Sequence, residues 1–427
     1  MKMKKILPVA IVMTLLLTAC GAASAPAASA TPVKSTPVVL PTVAATAAPT
    51  LEPTVTVTPL PGGCAVVPLL PVANPMFPAP AEGEYIQGPA TALITFIEYA
   101  DFQCPSCAQL SPYLRNIMAA NPDDVRLVYR YFPLTGHALA LISSQAAEAA
   151  ARQGKFWEMH DLLFAKQADW TTLTSEASFT DWVISQATIL GLDNAKFAAD
   201  LTDAAVVKKI ADAQAAAESL ALPGTPFLLA NGLYIGDQVD ETSLTYVVGL
   251  IKSLKALEAR TYKECPPVTI DKTKQYIATL NTTKGDIVIQ LNASKAPIAV
   301  NSFVFLAQNG WYDGVPFHRV LKDFVAQTGD PTGSGRGNPG YAYINEISDL
   351  KFDKDGVVGV ANMGPNSNGS QFFITFGAQD SLDGNYTILG QVFQGMDVAK
   401  NLTVRDPSTG ANLPDPDKII KVTIEVK

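Results

Sequence analysis

Leu93-Ile94-Thr95-Phe96-Ile97-Glu98-Tyr99-Ala100-Asp101-Phe102-Gln103-Cys104-Pro105-Ser106-Cys107 is the stretch that decides the fold. The apolar run 93–97 predicts a buried central strand. A Cys-x-x-Cys follows, and residues 108–120 read as a helix. Pro105 suits a first helical turn, where a missing N–H costs nothing. Cys104 then stands at a helix N-terminus, where unpaired N–H groups and the helix dipole favour a thiolate. A thiolate is the attacking species in disulfide exchange, and Cys107 is near enough to resolve the mixed disulfide. Half a zinc site and a structural pair are the competing readings, of which the zinc site makes a further demand. It needs further Cys or His at ligand spacing, and the three histidines, His137, His160 and His318, do not supply them. Glu98, six positions before Cys104, is costly to bury. It is either a solvent-facing edge residue or a buried acid of raised pKa that takes and returns the proton of Cys107.

These residues resemble the active-site strand and helix of the thioredoxin superfamily, and specifically of DsbA-like oxidoreductases. The resemblance implies an α/β thioredoxin-like fold with a helical insertion. It makes Cys104, Cys107 and Glu98 catalytic. It also aligns Pro226, within Leu222-Pro223-Gly224-Thr225-Pro226-Phe227, with the family's cis-proline facing the motif, and Thr225 with the substrate-contacting residue before it. Residues 125–132 read as a second strand. Helical stretches such as 143–153 and 156–164 fit the insertion. Asn231-Gly232 between two apolar runs signals a hairpin, and a last helix is expected over about 241–259. His137 is read as a capping or surface residue, although it could approach the motif.

Outward from this domain, the 427 residues predict about three domains at most. A net charge of -8 argues against a nucleic-acid partner. Residues 1–19 read as a signal peptide: Lys2, Lys4 and Lys5 precede an apolar core too short to span a bilayer. Leu17-Thr18-Ala19-Cys20 resembles a bacterial lipobox, which implies lipidation at Cys20 and an anchor on the extracytoplasmic face of a cell membrane. Residues 20–63 are poor in charge and rich in Ala, Pro and Thr, the composition of a disordered tether. Residues 64–267 are assigned to the redox domain. Cys64 and Cys265 bracket it, and an oxidising compartment favours pairing them; two free thiols or an electron relay to Cys104 are the other readings.

Residues 268–427 have a different grammar. Two alternating strands flank Thr283-Lys284-Gly285, Pro297 opens a helix over 297–308, and short strands spaced for a barrel follow. The stretches Phe317-His318-Arg319 to Asp330 and Ala361-Asn362-Met363 to Phe373 resemble the cyclophilins, peptidyl-prolyl isomerases built as an eight-stranded barrel with two helices. By that resemblance Arg319 is catalytic and Gln327 orients it or binds substrate. Phe324, Val325, Phe373 and Leu382 line a proline pocket, while Asn362, Gln371 and Tyr386 bind substrate. The chain departs from the common eukaryotic pattern at Ser381, where that type has Trp, at Tyr386 (His) and at Val325 (Met). No cofactor or metal is expected. The reading is a membrane-anchored folding factor acting on unfolded secreted polypeptides, with a membrane redox partner. The alternatives are a cyclophilin domain that only binds peptides, and a disulfide reductase or isomerase in place of an oxidase.

Overall fold

Short strands β1 (Cys64–Val66) and β2 (Tyr85–Gln87) precede the apolar run, which forms β3 (Ile94–Ala100) with every residue buried. The computed structural model describes residues 63–70, 72–236, 239–409 and 413–427; the leader, Cys20 and the tether through residue 62 lie outside them. Helix α1 (Pro105–Ala120) buries Cys107, Leu110, Ser111, Leu114 and Ile117, one stripe at helical spacing. Strand β4 (Val125–Tyr131) then runs parallel to β3. The insertion holds α2 (Ala140–Ala151), α3 (Phe156–Ala165), α4 (Gln167–Trp170), α5 (Glu176–Ile189), α6 (Asn194–Leu201) and α7 (Ala204–Ser219). Strands β5 (Phe227–Ala230) and β6 (Leu233–Tyr234) and helix α8 (Glu241–Leu257) complete the domain. The sheet order is β2-β4-β3-β5-β6, so β3 is central and covered on both faces. The β5–β6 turn takes positive φ at Asn231 (49°) and Gly232 (78°), as an Asn-Gly hairpin requires.

The C-terminal body contains β7 (Tyr276–Thr282), β8 (Gly285–Leu291), α9 (Pro297–Gln308), β9 (Arg319–Leu321), β10 (Val325–Thr328) and β11 (Tyr341–Tyr343). It continues with β12 (Val357–Val360), β13 (Phe372–Thr375), β14 (Ile388–Gln394), α10 (Met396–Lys400) and β15 (Ile419–Val426). One antiparallel sheet runs β15-β7-β8-β14-β12-β13-β10-β9. Its interior, with Leu280, Ile287, Ile289 and Ile374, packs against the α9 residues Ala299, Val300, Phe303 and Leu306.

Among the described residues, a strand pair, a disulfide and a shared helix join the two bodies. Residues 64–66, assigned by sequence to the redox domain, pair instead with β11 of the C-terminal body, Cys64 opposite Tyr343. Cys64 and Cys265 form a disulfide, and both pack against the C-terminal core. The bridge therefore ties the entry of the redox domain to its exit, on the surface of the other domain. Helix α8 spans both cores: Leu244 and Val248 sit with Leu110 and Leu114, whereas Leu254 and Leu257 sit with Leu280 and Ile289. A single helix buried at both ends is a stiff connection, unlike a Gly/Ser linker. No helix among the described residues is long and apolar enough to cross a membrane.

Candidate active sites

The first site lies where the central strand hands over to α1. Cys104 is the N-cap residue of α1 and Pro105 its first residue. Both cysteines are free and buried. The Thr225–Pro226 peptide is cis, and the Cys104 thiol donates to Thr225 O at 3.2 Å. Once ionised, Sγ turns acceptor. The Cys107 thiol, the Thr225 hydroxyl and the backbone N–H groups of Cys107 and Ser106 then hold it as thiolate, lowering its pKa to about 6 against the effect of burial. Burial pushes Cys107 well above its usual range, and its hydrogen bond to Cys104 and the nearby Glu98 add to this. The two thiols are thus unequal: Cys104 ionises the more readily and Cys107 the less.

Glu98 on β3 is fully buried, and neither carboxylate oxygen has a hydrogen-bond partner among the described residues. Burial first, then the charge of Cys104, raises its pKa to about 8. Of the two sequence readings, the solvent-facing edge residue is ruled out by its burial in the central strand. Since the folded value of about 8 lies above the free value of 4.5, the folded protein holds a proton that the unfolded chain releases between them. That contribution is fully present below about pH 4.5 and is lost as pH rises through 8. Glu98→Gln removes the penalty of a buried charge at high pH. Its stabilisation of the reduced protein is expected to grow by a few kcal/mol, order of magnitude, between pH 5 and pH 9. Urea unfolding at the two pH values checks this, and a pH-independent difference would show that Glu98 ionises without hindrance.

Several partners of this site escaped the sequence reading. Asp101 is fully buried; its Oδ1 accepts from Gln103 N at 2.7 Å and its Oδ2 from Leu134 N at 3.0 Å. His137 Nδ1 lies 2.6 Å from Asp101 Oδ2, so this histidine does approach the motif loop. Gln167 of α4 donates to Phe102 O and Cys104 O, both at 2.8 Å. Gln103 Oε1 accepts from Leu139 N at 2.6 Å. The helical insertion therefore clamps the loop that presents Cys104. Single polar residues within helical or turn patterns carried no signal of this.

The second site is set by strand register. Arg319 stands opposite Gln327, Gln327 opposite Phe373 and Phe373 opposite Gly359 across β9, β10, β13 and β12. Directly opposed residues share a face, so this row points one way. A Cβ on Gly359 would lie 2.4 Å from Phe373 Cζ, so only glycine leaves room for that ring. A cavity of about 100 Å³ results, lined by Arg319, Phe324, Val325, Gln327, Phe373 and Leu382, with Asn362 and Tyr386 at its side. Arg319 Cζ sits 5.5 Å from the Phe324 ring centre, and its side chain has no hydrogen-bond or ion-pair partner among the described residues. The Tyr386 ring meets Phe373 edge-on at 5.4 Å. Gln371 lies in the adjoining groove; its Nε2 donates to Gly335 O and Gly337 O at 3.0 Å, and its Oε1 accepts from Gln327 Nε2 at 3.1 Å. Ser381 is exposed in the single 3-10 turn Asp380–Leu382. An unpaired guanidinium beside apolar walls can meet a polar atom of a ligand whose apolar ring fills the cavity.

Comparison with known proteins separates the two bodies in the same way. A thioredoxin family model matches residues 81–248, and the model for cyclophilin type peptidyl-prolyl cis-trans isomerases matches residues 277–424. The chain is 46% identical over 128 residues to the peptidyl-prolyl cis-trans isomerase CYP18-2 of Arabidopsis thaliana, covering 29% of this chain and 78% of that protein. It is 44% identical over 149 residues to the isomerase cypE of Dictyostelium discoideum, covering 34% of this chain and 95% of that protein. A solved cyclophilin type isomerase of Cryptosporidium parvum is 33% identical, covering 36% of this chain and 98% of the other at a TM-score of 0.33.

Proposed function

The chain belongs, through residues 277–424, to the cyclophilin-type peptidyl-prolyl cis-trans isomerases, and from that premise we propose that it is a two-enzyme folding factor. One domain isomerises X–Pro bonds and the thioredoxin-like domain exchanges disulfides in the manner of the DsbA-like proteins. X–Pro rotation is slow because the amide nitrogen shares its lone pair across a barrier of ~18–20 kcal/mol. In this reading the proline ring enters the cavity floored by Phe324, Phe373 and Leu382, Asn362 and Gln371 hold the peptide, and Arg319 donates to the amide nitrogen in the twisted state. The observation that carries it is the Arg319 guanidinium, against the Phe324 ring and without a hydrogen-bond or ion-pair partner among the described residues, beside those apolar walls. In this reading Gln327, opposite Arg319 in strand register and paired with Gln371, orients the cation.

In the other domain Cys104 attacks and Cys107 resolves, with Glu98 as base. Support comes from the unequal thiols and the buried acid beside them. The two reactions are the slow covalent or near-covalent steps in the folding of secreted chains. An unfolded polypeptide held at one site raises its own concentration at the other. The test is an assay of both reactions with the full chain and one reduced, proline-containing unfolded protein. Disulfide exchange without X–Pro isomerisation above background would leave the second domain as a peptide-binding module.

The same proposal anchors the protein on the outer face of a cell membrane through lipid on Cys20, where a membrane redox partner resets the dithiol. The leader's three lysines, its short apolar core and Leu17-Thr18-Ala19-Cys20 support it. Expression in a bacterium should yield a membrane-bound product carrying acyl chains at Cys20, and Cys20→Ser should release it to the soluble fraction. A parent protein found soluble and unacylated would overturn the anchor.

A further inference from the structure

Glu98 Oε1 and Oε2 and His160 Nε2 are buried polar atoms without a hydrogen-bond partner among the described residues, and both residues line one cavity of about 40 Å³. At about 15 Å³ per water this is room for about two or three. Such a cavity takes water only where polar groups receive it, and these two groups face it from opposite elements, β3 and α3. Gln87, Arg115 and Asp161 form its rim. The Arg115 and Asp161 side chains are about half exposed, so the cavity leads from the buried acid towards solvent.

The tautomer of His160 follows from its partner. His160 Nδ1 lies 3.0 Å from Asp161 Oδ1. An ionised carboxylate only accepts, so Nδ1 carries the proton and Nε2 presents a lone pair to the cavity. Asp161 stays ionised: partial burial opposes this, but the His160 hydrogen bond and the Arg115 charge hold it below its usual range. Burial lowers the pKa of His160 and keeps the ring neutral at rest. The other titratable groups around it are Arg115 on α1, Glu98 on β3 and Tyr129 on β4, whose ring centre is 5.0 Å away.

We propose that His160 is a positioning residue for Glu98: it anchors the cavity water and relays the Glu98 proton to solvent. This rests on thiol–disulfide exchange at Cys104 and Cys107. In resolution, Cys107 S–H gives its proton to the Glu98 carboxylate. The Cys107 thiolate attacks Cys104 Sγ, the Cys104–Cys107 bond forms, the bond from Cys104 to substrate sulfur breaks, and substrate leaves as thiolate with the electron pair. Two electrons thus pass from the dithiol to the substrate disulfide. Glu98, now a carboxylic acid, passes its proton through water to His160 Nε2. The imidazolium, held by Asp161, returns it through the same water to the rim. Reduction of the enzyme disulfide runs the path inward.

The test uses the full chain with His160→Gln and His160→Ala. Pre-steady-state exchange with glutathione disulfide and with dithiothreitol is followed from pH 5.5 to 9. Both variants should lose about tenfold on the limb where Glu98 must ionise, less than the ~10² expected for losing a base that touches the reacting group. The Cys104 thiolate absorbance should titrate as in the parent, and added imidazole should restore most of the His160→Ala rate. Nitrogen-15 spectra of the parent should show His160 protonated at Nδ1 and bare at Nε2, which decides the geometry even where His160→Ala does not fold. Variant pH–rate profiles that overlay the active parent, or a proton on Nε2 at rest, would overturn the relay alone. A parent that exchanges no disulfides, or whose profile is unchanged by Glu98→Gln, would overturn the exchange reading and the relay with it.

Discussion

Arg319→Ala is expected to lower kcat/KM on an X–Pro peptide by roughly 10²–10³, the ~2.7–4 kcal/mol typical of a lost transition-state donor. Arg319 projects from β9 into the cavity, opposite Gln327, and its donors are not committed to any carboxylate among the described residues. A planar guanidinium can hydrogen-bond the amide nitrogen only once the amide twists and the lone pair localises there. The interaction is therefore stronger in the transition state than with planar substrate, the condition for a rate effect. Arg319→Lys should recover little, because a point ammonium lacks the planar fork and its fixed donor geometry. The side chain is only partly buried, so unfolding stability should barely change, and disulfide exchange should be intact. A protease-coupled or fluorescence assay of cis-to-trans conversion measures the loss. An isomerase rate indifferent to Arg319→Ala would remove this residue from the mechanism and make the departures at Ser381 and Tyr386 marks of a binding module.

Cys104→Ser is expected to abolish disulfide exchange, and Cys107→Ser to accumulate mixed disulfides between Cys104 and substrate. The asymmetry follows from the two environments. Cys104, with a pKa of about 6, is mostly thiolate at neutral pH, whereas burial keeps Cys107 protonated until a base acts. Without Cys107 the attack still occurs, but nothing displaces the substrate sulfur. Non-reducing gels and mass spectrometry of protein incubated with an unfolded disulfide substrate read both outcomes. Normal turnover by Cys107→Ser would reverse the assignment of nucleophile and resolver. The low Cys104 pKa also stabilises the reduced form. The Cys104–Cys107 potential should therefore lie above the ~-270 mV typical of thioredoxins, towards the ~-120 mV of strongly oxidising DsbA. Equilibration with glutathione buffers measures it.

The sequence alone determined the parts built from local pattern. A continuous apolar run read as a buried strand is β3, and the stripe behind Cys104 is α1. Asn231-Gly232 marked a hairpin because only certain residues accept positive φ in succession. The residues after Arg319 were named from the cyclophilin resemblance, in 319–327 and 361–373 with Leu382 and Tyr386 beyond them, and the register of β9, β10 and β13 sets Arg319, Gln327 and Phe373 in one row.

Other features were decided only by tertiary structure. Glu98 had two sequence readings, and only its place in the centre of the sheet separated them. His137 reaches Asp101, Gln167 reaches Cys104, and His160 shares a cavity with Glu98, each across more than thirty positions of chain. The boundary between the two bodies is not a cut in the chain either, since β1 pairs with β11 and α8 lies in both cores. The physical reason is that hydrophobic periodicity follows from each residue's near neighbours in sequence. The pKa of a buried acid and the partner of a lone polar side chain depend instead on which atoms the packed chain brings within a few ångströms, and no local pattern encodes that.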